Sequence, residues 1–229
     1  MKTFCIALPE SNLTELRNSS NLEIETFSAV LPFETTKIMR KKRLRWTYPW
    51  ESPRHDLSSG LYLTPYATKV KEKRIACFLS HLQLWENCVE DNVPYIILEQ
   101  DAVFQRKFEH EQVLQMSDYH FISLNEPQRG ATPKADVYRK WIEENYKGTN
   151  GVGIAPVPYV RPTELPAGLP GHSAYYIKPE GAKKMLHLVK RYGCWPNDSI
   201  MCKQLLPKQM GCLYPFITKV KKGVSTTTL

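Results

Sequence analysis

The chain has 229 residues, of which 42% are hydrophobic and 24% charged, and it carries a formal net charge of +8 at neutral pH. This mixture excludes a disordered or fibrous chain and is sufficient for one domain with a hydrophobic core. The excess of lysine and arginine favours anionic partners such as phosphates, nucleic acid or an acidic membrane, and it is equally typical of an ordinary solvated surface.

The cysteines and the lengths of the apolar segments indicate in which cellular compartment the protein works. The six cysteines form no Cys-x-x-Cys pair, which predicts reduced thiols and a cytoplasmic protein. The apolar run before Pro9 is only five residues long, too short for a signal peptide, and no segment approaches the roughly 20 apolar residues that cross a bilayer. We expect a protein that works in the cytoplasm, at most peripherally at the inner face of a membrane.

The first third of the chain contains two predicted strands and a cationic segment. Residues 3–8 predict a buried opening strand, and alternation at 22–30 predicts a second, weaker one. The stretch at 37–45, here called the cationic block, contains Lys37, Arg40, Lys41, Lys42, Arg43 and Arg45. Prolines and aromatic residues at 47–60 predict a loop.

The clearest helix is predicted at residues 75–90. Its apolar residues recur at i, i+3, i+4 and i+7, namely Ile75, Phe78, Leu79, Leu82, Trp85 and Val89. The run at 95–98 is wholly apolar, which is typical of a strand buried on both faces, and it ends in Glu99, Gln100 and Asp101.

The second half of the chain alternates between irregular and regular segments. Many prolines and glycines predict an irregular region at about 125–170, of a kind that is usually functional or mobile. Further strands are predicted at 119–124, 173–178 and 211–218, and helices at 179–192 and 197–206. Strands that alternate with helices predict a single α/β domain over 1–229 with a largely parallel sheet.

The acidic end of the strand at 95–98 is the strongest chemical feature. Ligands of open α/β sheets bind at the carboxyl ends of the strands, where Glu99 could take ribose hydroxyls and Asp101 a hard divalent ion. If the extended backbone continues through Asp101, both acids face one site and Gln100 faces away. The alternative, ordinary turn residues after a strand, is at least as frequent.

The predicted helix at 75–90 carries thiols and a histidine along one shoulder. Cys77, His81 and Cys88 are a poor set for zinc, because a site needs three or four ligands at bonding distance, and buried thiols beside a hydrogen-bonded histidine are the simpler interpretation. Only residues 92–94 join this helix to the acidic strand end. Ser80 and His81 are therefore candidate site residues.

Four segments resemble glycosyltransferase family 25, the lipopolysaccharide-biosynthesis and collagen galactosyltransferase family. Residues 76–85, ACFLSHLQLW, are similar to its GCxLSHxxxW helix, and residues 93–102, VPYIILEQDA, to its acidic strand. Residues 171–182, GHSAYYIKPEGA, and 195–198, WPND, are similar to two later segments. The resemblance implies a GT-A-like, Rossmann-like sandwich that transfers a sugar, commonly galactose from UDP-galactose, to a glycan or lipid-linked acceptor.

By position, the resemblance also implies site residues. Glu99 matches the donor-side acid and Asp101 the metal-side acid, while Gln100 replaces the middle acid of the triplet and so weakens the case for Mn²⁺. Tyr175 would pack against or touch the donor. Lys73 and Arg74 stand where the family has an acidic segment, and we expect them to contact the diphosphate.

The resemblance implies an inverting displacement, which needs a base for the acceptor hydroxyl. Asp198 is our candidate base, with His172 as the alternative, although an acid in the first turn of a helix is also an ordinary feature. The acceptor would then be shaped by the region at 125–170.

Three further interpretations follow from the same residues. A glycosyltransferase-like module that binds a nucleotide or anionic glycan without turnover would explain Gln100 and Ala76. A nucleic-acid binder is suggested by the charge alone, without any recognition motif. The cationic block, flanked by Trp46, Tyr48 and Trp50, predicts contact with an anionic membrane or an acidic acceptor.

Overall fold

A computed structural model describes residues 1–130 and 132–221 of the chain. The strands are β1 (Lys2–Ala7), β2 (Glu25–Ser28), β3 (Arg54–Asp56), β4 (Leu61–Leu63), β5 (Tyr95–Glu99), β6 (Ala102–Phe104), β7 (Phe121–Ser123), β8 (Lys147–Thr149), β9 (Val152–Pro156), β10 (Ala174–Ile177), β11 (Met210–Tyr214) and β12 (Thr218–Val220). The α-helices are α1 (Thr14–Ser19), α2 (Thr35–Lys41), α3 (Lys71–Asp91), α4 (Glu111–Met116), α5 (Ala135–Asn145), α6 (Pro179–Tyr192) and α7 (Asn197–Ile200), and a 3₁₀ turn, Pro32–Glu34, precedes α2.

One mixed sheet organises this part of the chain, in the order β2-β1-β5-β10-β7-β11-β9-β8. Strands β2, β1, β5, β7, β11 and β8 run in one direction, while β10 and β9 run against them. The prediction of an α/β fold with a largely parallel sheet is confirmed. The carboxyl ends of β1, β2 and β5 consequently lie together at one edge of the sheet.

Strand β5 shows why its sequence is apolar without interruption. Tyr95 and Ile97 pack into the core on the face covered by α3 and α6, whereas Ile96 and Leu98 pack into a second core on the opposite face, beneath α1 and α4. Helices on both faces bury the strand completely, as is usual for parallel strands.

Helix α3 begins one turn earlier than its apolar stripe predicts and ends at Asp91. The next residue, Asn92, has a left-handed backbone with φ of 53°, and asparagine tolerates that conformation at the end of a helix. None of the helices in the described residues is long and apolar enough to cross a membrane.

The prediction that 125–170 is irregular is wrong for its central part. Residues 135–156 form α5 and the β8–β9 hairpin, because Ala135, Tyr138 and Ile142 bury one helix face at i, i+3 and i+7. The prolines at 133 and 156 mark the ends of these elements and do not interrupt them.

Three smaller predictions also need correction. The loop predicted at 47–60 contains β3, which pairs with β4. The helix predicted at 197–206 ends at Ile200, and the strand predicted at 211–218 is divided between β11 and β12, which pairs with β6. The predicted domain extends to 229, and its last eight residues, 222–229, lie outside the described part of the chain.

Candidate active site

The shared carboxyl edge of β1, β2 and β5 borders an open cavity of about 620 Å³. It is lined by Ala7, Leu8, Pro9, Ser11, Asn12, Leu13, Thr14, Arg17, Thr26 and Ser28. Gln100 reaches towards this cavity, since its side-chain oxygen accepts hydrogen bonds from the Leu8 amide at 3.0 Å and from the Ser11 hydroxyl. The cavity thus lies beside the acidic end of β5.

A chain of buried hydrogen bonds leads from the core to Glu99. The Trp85 indole donates to the Tyr175 hydroxyl at 2.9 Å, and this hydroxyl lies 2.9 Å from His81 Nδ1. His81 Nε2 lies 3.1 Å from Glu99 Oε1. An ionised carboxylate can only accept, so the His81 hydrogen is placed on Nε2, where it donates to Glu99, and Nδ1 accepts the hydrogen of the Tyr175 hydroxyl. We call this chain the Trp85–Glu99 relay.

The relay sets the state of the Glu99 carboxylate. Burial alone would raise the pKa of Glu99, but the hydrogen bond from His81, together with the nearby Arg74 guanidinium, holds that pKa below its usual value. The His81 side chain is fully buried, while that of Glu99 is 30% exposed. Glu99 is therefore an ionised acceptor, fixed from behind and open to the site.

Asp101 differs from Glu99 although it is only two residues away. Strand β5 ends at Glu99, and Gln100 and Asp101 form a turn. The strand alternation that was expected to bring Glu99 and Asp101 to the same face therefore does not extend to Asp101. The Asp101 Oδ1 atom is buried with no hydrogen-bond partner in the described residues. Burial, and then the charge of Glu99, raise the pKa of Asp101 to about 7.

A second carboxylate with an unpaired oxygen belongs to Asp198, in the first turn of α7. Its Oδ1 atom is buried without a hydrogen-bond partner in the described chain. Burial raises the pKa of Asp198, against the opposing effects of the Arg74 guanidinium and a hydrogen bond from Tyr66. Arg74 is held by the Thr68 hydroxyl at 2.8 Å and lies over the Tyr66 ring at 4.5 Å.

His172 lies immediately before β10 and joins the same cluster. Its ring meets that of Tyr175 edge-on with 5.9 Å between centroids, and the residue is only 7% exposed. Neither ring nitrogen has a hydrogen-bond partner among the described residues. Burial, and then His81, lower the pKa of His172 to about 3, so the imidazole is neutral at physiological pH.

Ser80 and Lys73 are the remaining two residues expected at the donor site. Ser80 is fully buried, accepts a hydrogen bond from the Val30 amide at 2.9 Å and donates one to the Ala76 carbonyl at 2.9 Å. The first bond fastens the segment after β2 to α3 and the second lies within α3, so the hydroxyl does not point towards the site. Lys73 lies half-buried in the first turn of α3, next to Arg74.

Ligand atoms of Cys77, His81 and Glu99 lie within 4.8 Å of one another, and this group could hold a metal ion. Cys88, the third residue of the set considered from the sequence, instead donates to the Val93 carbonyl. A metal on His81 Nε2 would displace the hydrogen that the relay places there. The unpaired oxygen of Asp101 is the better match for a hard divalent ion, which prefers oxygen ligands.

Sequence reasoning missed Tyr66, which contacts both Arg74 and Asp198. No sequence signal could have found it, because Tyr66 lies in an irregular segment between β4 and α3. The apolar stripe predicts Trp85 only as a core residue, although its place in the motif at 76–85 is a usable signal.

The mixed sheet with acids at the carboxyl edge of its parallel strands defines a GT-A-like fold of the Rossmann type. The family model of glycosyltransferase family 25 (LPS biosynthesis protein) matches residues 1–201, which include all four segments that carried the resemblance. The chain belongs to this family and is a glycosyltransferase of lipopolysaccharide biosynthesis. A comparison with curated proteins found no significant match.

Proposed function

We propose that this enzyme transfers galactose from UDP-galactose to a hydroxyl of a lipid-linked glycan, with inversion at the sugar carbon. The observation that supports this best is the pair of unlike carboxylates, Glu99 and Asp101, at the carboxyl edge of β5. The family supports a nucleotide-sugar donor and a glycan acceptor. Galactose, uridine and the lipid-linked acceptor are our choices within those classes.

In the proposed donor site the two acids have different tasks. Glu99, held by the relay on one oxygen, accepts hydrogen bonds from the ribose hydroxyls with the other. The nucleoside occupies the cavity lined by Arg17 and Thr26, whose side chains are already joined by a 2.7 Å hydrogen bond. Ser80 and Tyr175 act from behind the site as positioning residues.

The proposed cofactor is a divalent metal, with Mn²⁺ as our choice. The buried Asp101 oxygen fits such an ion, because a nearby cation would relieve the same desolvation and repulsion that raise the pKa of this carboxyl. When bound, the ion supplies positive charge to the diphosphate. Gln100 contributes no carboxylate, and its oxygen is already occupied by Leu8 and Ser11.

The proposed base is Asp198, which takes the proton of the acceptor hydroxyl as that oxygen attacks the sugar carbon. Its unpaired oxygen can accept the proton, and its raised pKa makes the carboxylate a stronger base than an ordinary aspartate. The Arg74 guanidinium is close enough to both Glu99 and Asp198 to lower their pKa values, and it contributes positive charge to the leaving diphosphate, with Lys73 beside it. His172, neutral and without a partner, is the alternative base.

The cellular location we propose is the cytoplasm, at the inner face of a membrane. A lipid-linked acceptor is presented there, and the cationic block is exposed throughout its charged residues. An enzyme that meets such an acceptor needs no membrane-spanning helix of its own.

A direct test measures UDP release and transfer with Mn²⁺ or excess chelator, alongside UDP and Mn²⁺ titrations by calorimetry. Asp101→Asn should raise the Mn²⁺ concentration required, whereas Glu99→Gln should weaken UDP binding and leave the metal requirement unchanged. Asp198→Asn should retain UDP binding and lose transfer by about 10²- to 10⁴-fold, the usual contribution of a general base.

Three outcomes would each contradict part of the proposal. Wild-type protein that binds UDP but never releases it from a nucleotide-sugar would be a non-catalytic binding module. Identical shifts in metal requirement for Glu99→Gln and Asp101→Asn would remove the division of tasks, and full activity in chelator would remove the metal.

A further inference from the structure

The 3₁₀ turn and α2 present one continuous exposed face. Phe33 is 81% exposed, and Lys37, Arg40 and Lys41 follow it at the spacings that share a helix face. The opposite face contains Thr35, which is buried, with Ile38 and Met39 packed against the core. We call the exposed set (Phe33, Lys37, Arg40 and Lys41) the α2 face.

The charge around the α2 face has one sign. Residues 33–45 contain six cations and one acid, Glu34, whose carboxylate accepts the Leu31 amide at 2.8 Å. Lys42 forms an ion pair with Glu86 at 2.7 Å on α3. The other cations of this segment remain exposed, so the α2 face and the chain that follows it form a strongly positive surface with an apolar residue at one end.

The aromatic residues after the cationic block, expected to contact a membrane or an acidic acceptor, pack against the protein instead. Tyr48 is buried and donates to the Thr64 carbonyl at 2.9 Å. Trp46 stacks on Trp50 with 4.8 Å between centroids and meets the Phe78 ring edge-on. These side chains anchor the segment to the protein, which leaves Phe33 as the apolar side chain that projects from this surface.

The α2 face also lies close to the candidate active site. The Val30 amide, three residues before Phe33, is bonded to the Ser80 hydroxyl, and the next residue of α3 is His81 of the relay. The end of the face that carries Phe33 is therefore the end nearest the acidic edge of the sheet.

We propose that the α2 face docks on an anionic lipid bilayer, with Phe33 inserted among the lipid chains and the cations on the headgroups. A soluble polyanion would neutralise the cations equally well but would leave Phe33 in water, so the pairing of both features favours a lipid surface. The inference deepens the proposed function, on which it rests in one respect: docking brings the active site to a lipid-linked acceptor.

The test is sedimentation of the full chain with vesicles of phosphatidylcholine, with and without phosphatidylglycerol. Wild type should bind only the anionic vesicles. Changing Lys37, Arg40 and Lys41 to Ser should weaken binding roughly 100-fold, since each cation near such a surface contributes about fivefold. Phe33→Ser should weaken it about tenfold through lost apolar burial.

Matched controls lie on other elements. Met116→Ser removes another highly exposed apolar side chain, at the end of α4, and a triple change of Lys183, Lys184 and Lys190 to Ser removes exposed cations from α6. Both controls should bind like wild type. Equal losses in the α6 triple variant would show non-specific charge attraction and overturn the proposal, as would wild-type binding by Phe33→Ser or no binding by wild type.

Docking and catalysis are separated by a second measurement. UDP release from a soluble nucleotide-sugar in water should be unchanged in Phe33→Ser and in the α2 triple variant. Vesicle binding by a wild-type protein that releases no UDP would refute the proposed function and leave the docking intact. Normal UDP release without vesicle binding would refute the docking and leave the proposed function intact.

Discussion

Tyr175 and Tyr176 are neighbours on β10 with opposite surroundings. Tyr175 faces the core beneath α3, where its hydroxyl links Trp85 to His81. Tyr176 faces the other core, and its hydroxyl is buried with no hydrogen-bond partner in the described residues. The same chemical group is thus a structural link at one position and an uncompensated polar atom at the next.

We predict opposite effects of removing these two hydroxyls. Tyr175→Phe should lower the free energy of unfolding by about 1–3 kcal/mol, because the buried Trp85 indole loses its acceptor. It should also weaken UDP binding, because His81 no longer holds Glu99 in one position. Tyr176→Phe should leave both quantities unchanged or slightly improve stability.

Urea denaturation and UDP calorimetry on both variants measure these effects. A loss of stability in Tyr175→Phe with UDP affinity unchanged would restrict the relay to a structural role. Equal losses in Tyr176→Phe would contradict the assignment of its hydroxyl as unpaired.

At the residue level, the sequence revealed the groups that share a local signal. Glu99 and Asp101 stand out because they end an apolar run, and His81 because a short connection brings its helix to that strand. Tyr66 could not be predicted, since it reaches Arg74 and Asp198 through tertiary packing alone. Ser80 precedes His81 in the sequence, but the direction of its side chain depends on the segment after β2.

Among the elements, the turn after β5 is held to the loop after β1 by the Gln100 side chain. Gln100 stands where the family pattern has an acid, and its oxygen accepts from the Leu8 amide and the Ser11 hydroxyl. This loop lines the proposed nucleoside cavity. Gln100 therefore joins the acidic turn to the cavity wall.

We predict that Gln100→Ala loosens this loop. The Leu8 amide should exchange its hydrogen about fivefold faster, which corresponds to the loss of one hydrogen bond worth about 1 kcal/mol. Gln100→Glu keeps the acceptor and should preserve the protection. Hydrogen exchange of the Leu8 amide measures both variants, and unchanged protection in Gln100→Ala would show that other contacts hold the loop.

Elements with a long, regular pattern were predictable. Helices α3 and α6 and strand β5 follow directly from their apolar spacing. Helix α5 and the β8–β9 hairpin were missed because glycines and prolines surround them, and the three buried positions of α5 give too short a signal. The early end of α7 was missed because the sequence beyond Ile200 stays apolar without staying helical.

For the whole molecule, strand order determines which residues meet. Strand β10 comes late in the chain and inserts antiparallel between β5 and β7, so Ala174 pairs with Leu98 and His172 comes beside Glu99. Local patterns predict the strands but contain no information on this order. The site therefore exists only when the sheet is assembled, and a ligand that binds it should stabilise the entire fold.

We predict that UDP with Mn²⁺ raises the thermal unfolding midpoint. Ligand at 100 times its dissociation constant adds about 2.7 kcal/mol to the stability of the folded state. For a chain of this size, each kcal/mol raises the midpoint by about 2–4 °C, so the shift should be roughly 5–10 °C. A panel of nucleotides and nucleotide-sugars, each with Mn²⁺ or with chelator, separates recognition of the base, the sugar and the metal.

Asp101→Asn should keep a shift with UDP and lose the added effect of Mn²⁺, because the buried oxygen that fits the ion is the one replaced. The matched control is Asp136→Asn on α5, whose carboxylate pairs with Arg129 at the surface and lies outside the site. Equal shifts with every nucleotide would show phosphate binding by the basic surface, and no shift with any of them would contradict a nucleotide site at this edge of the sheet.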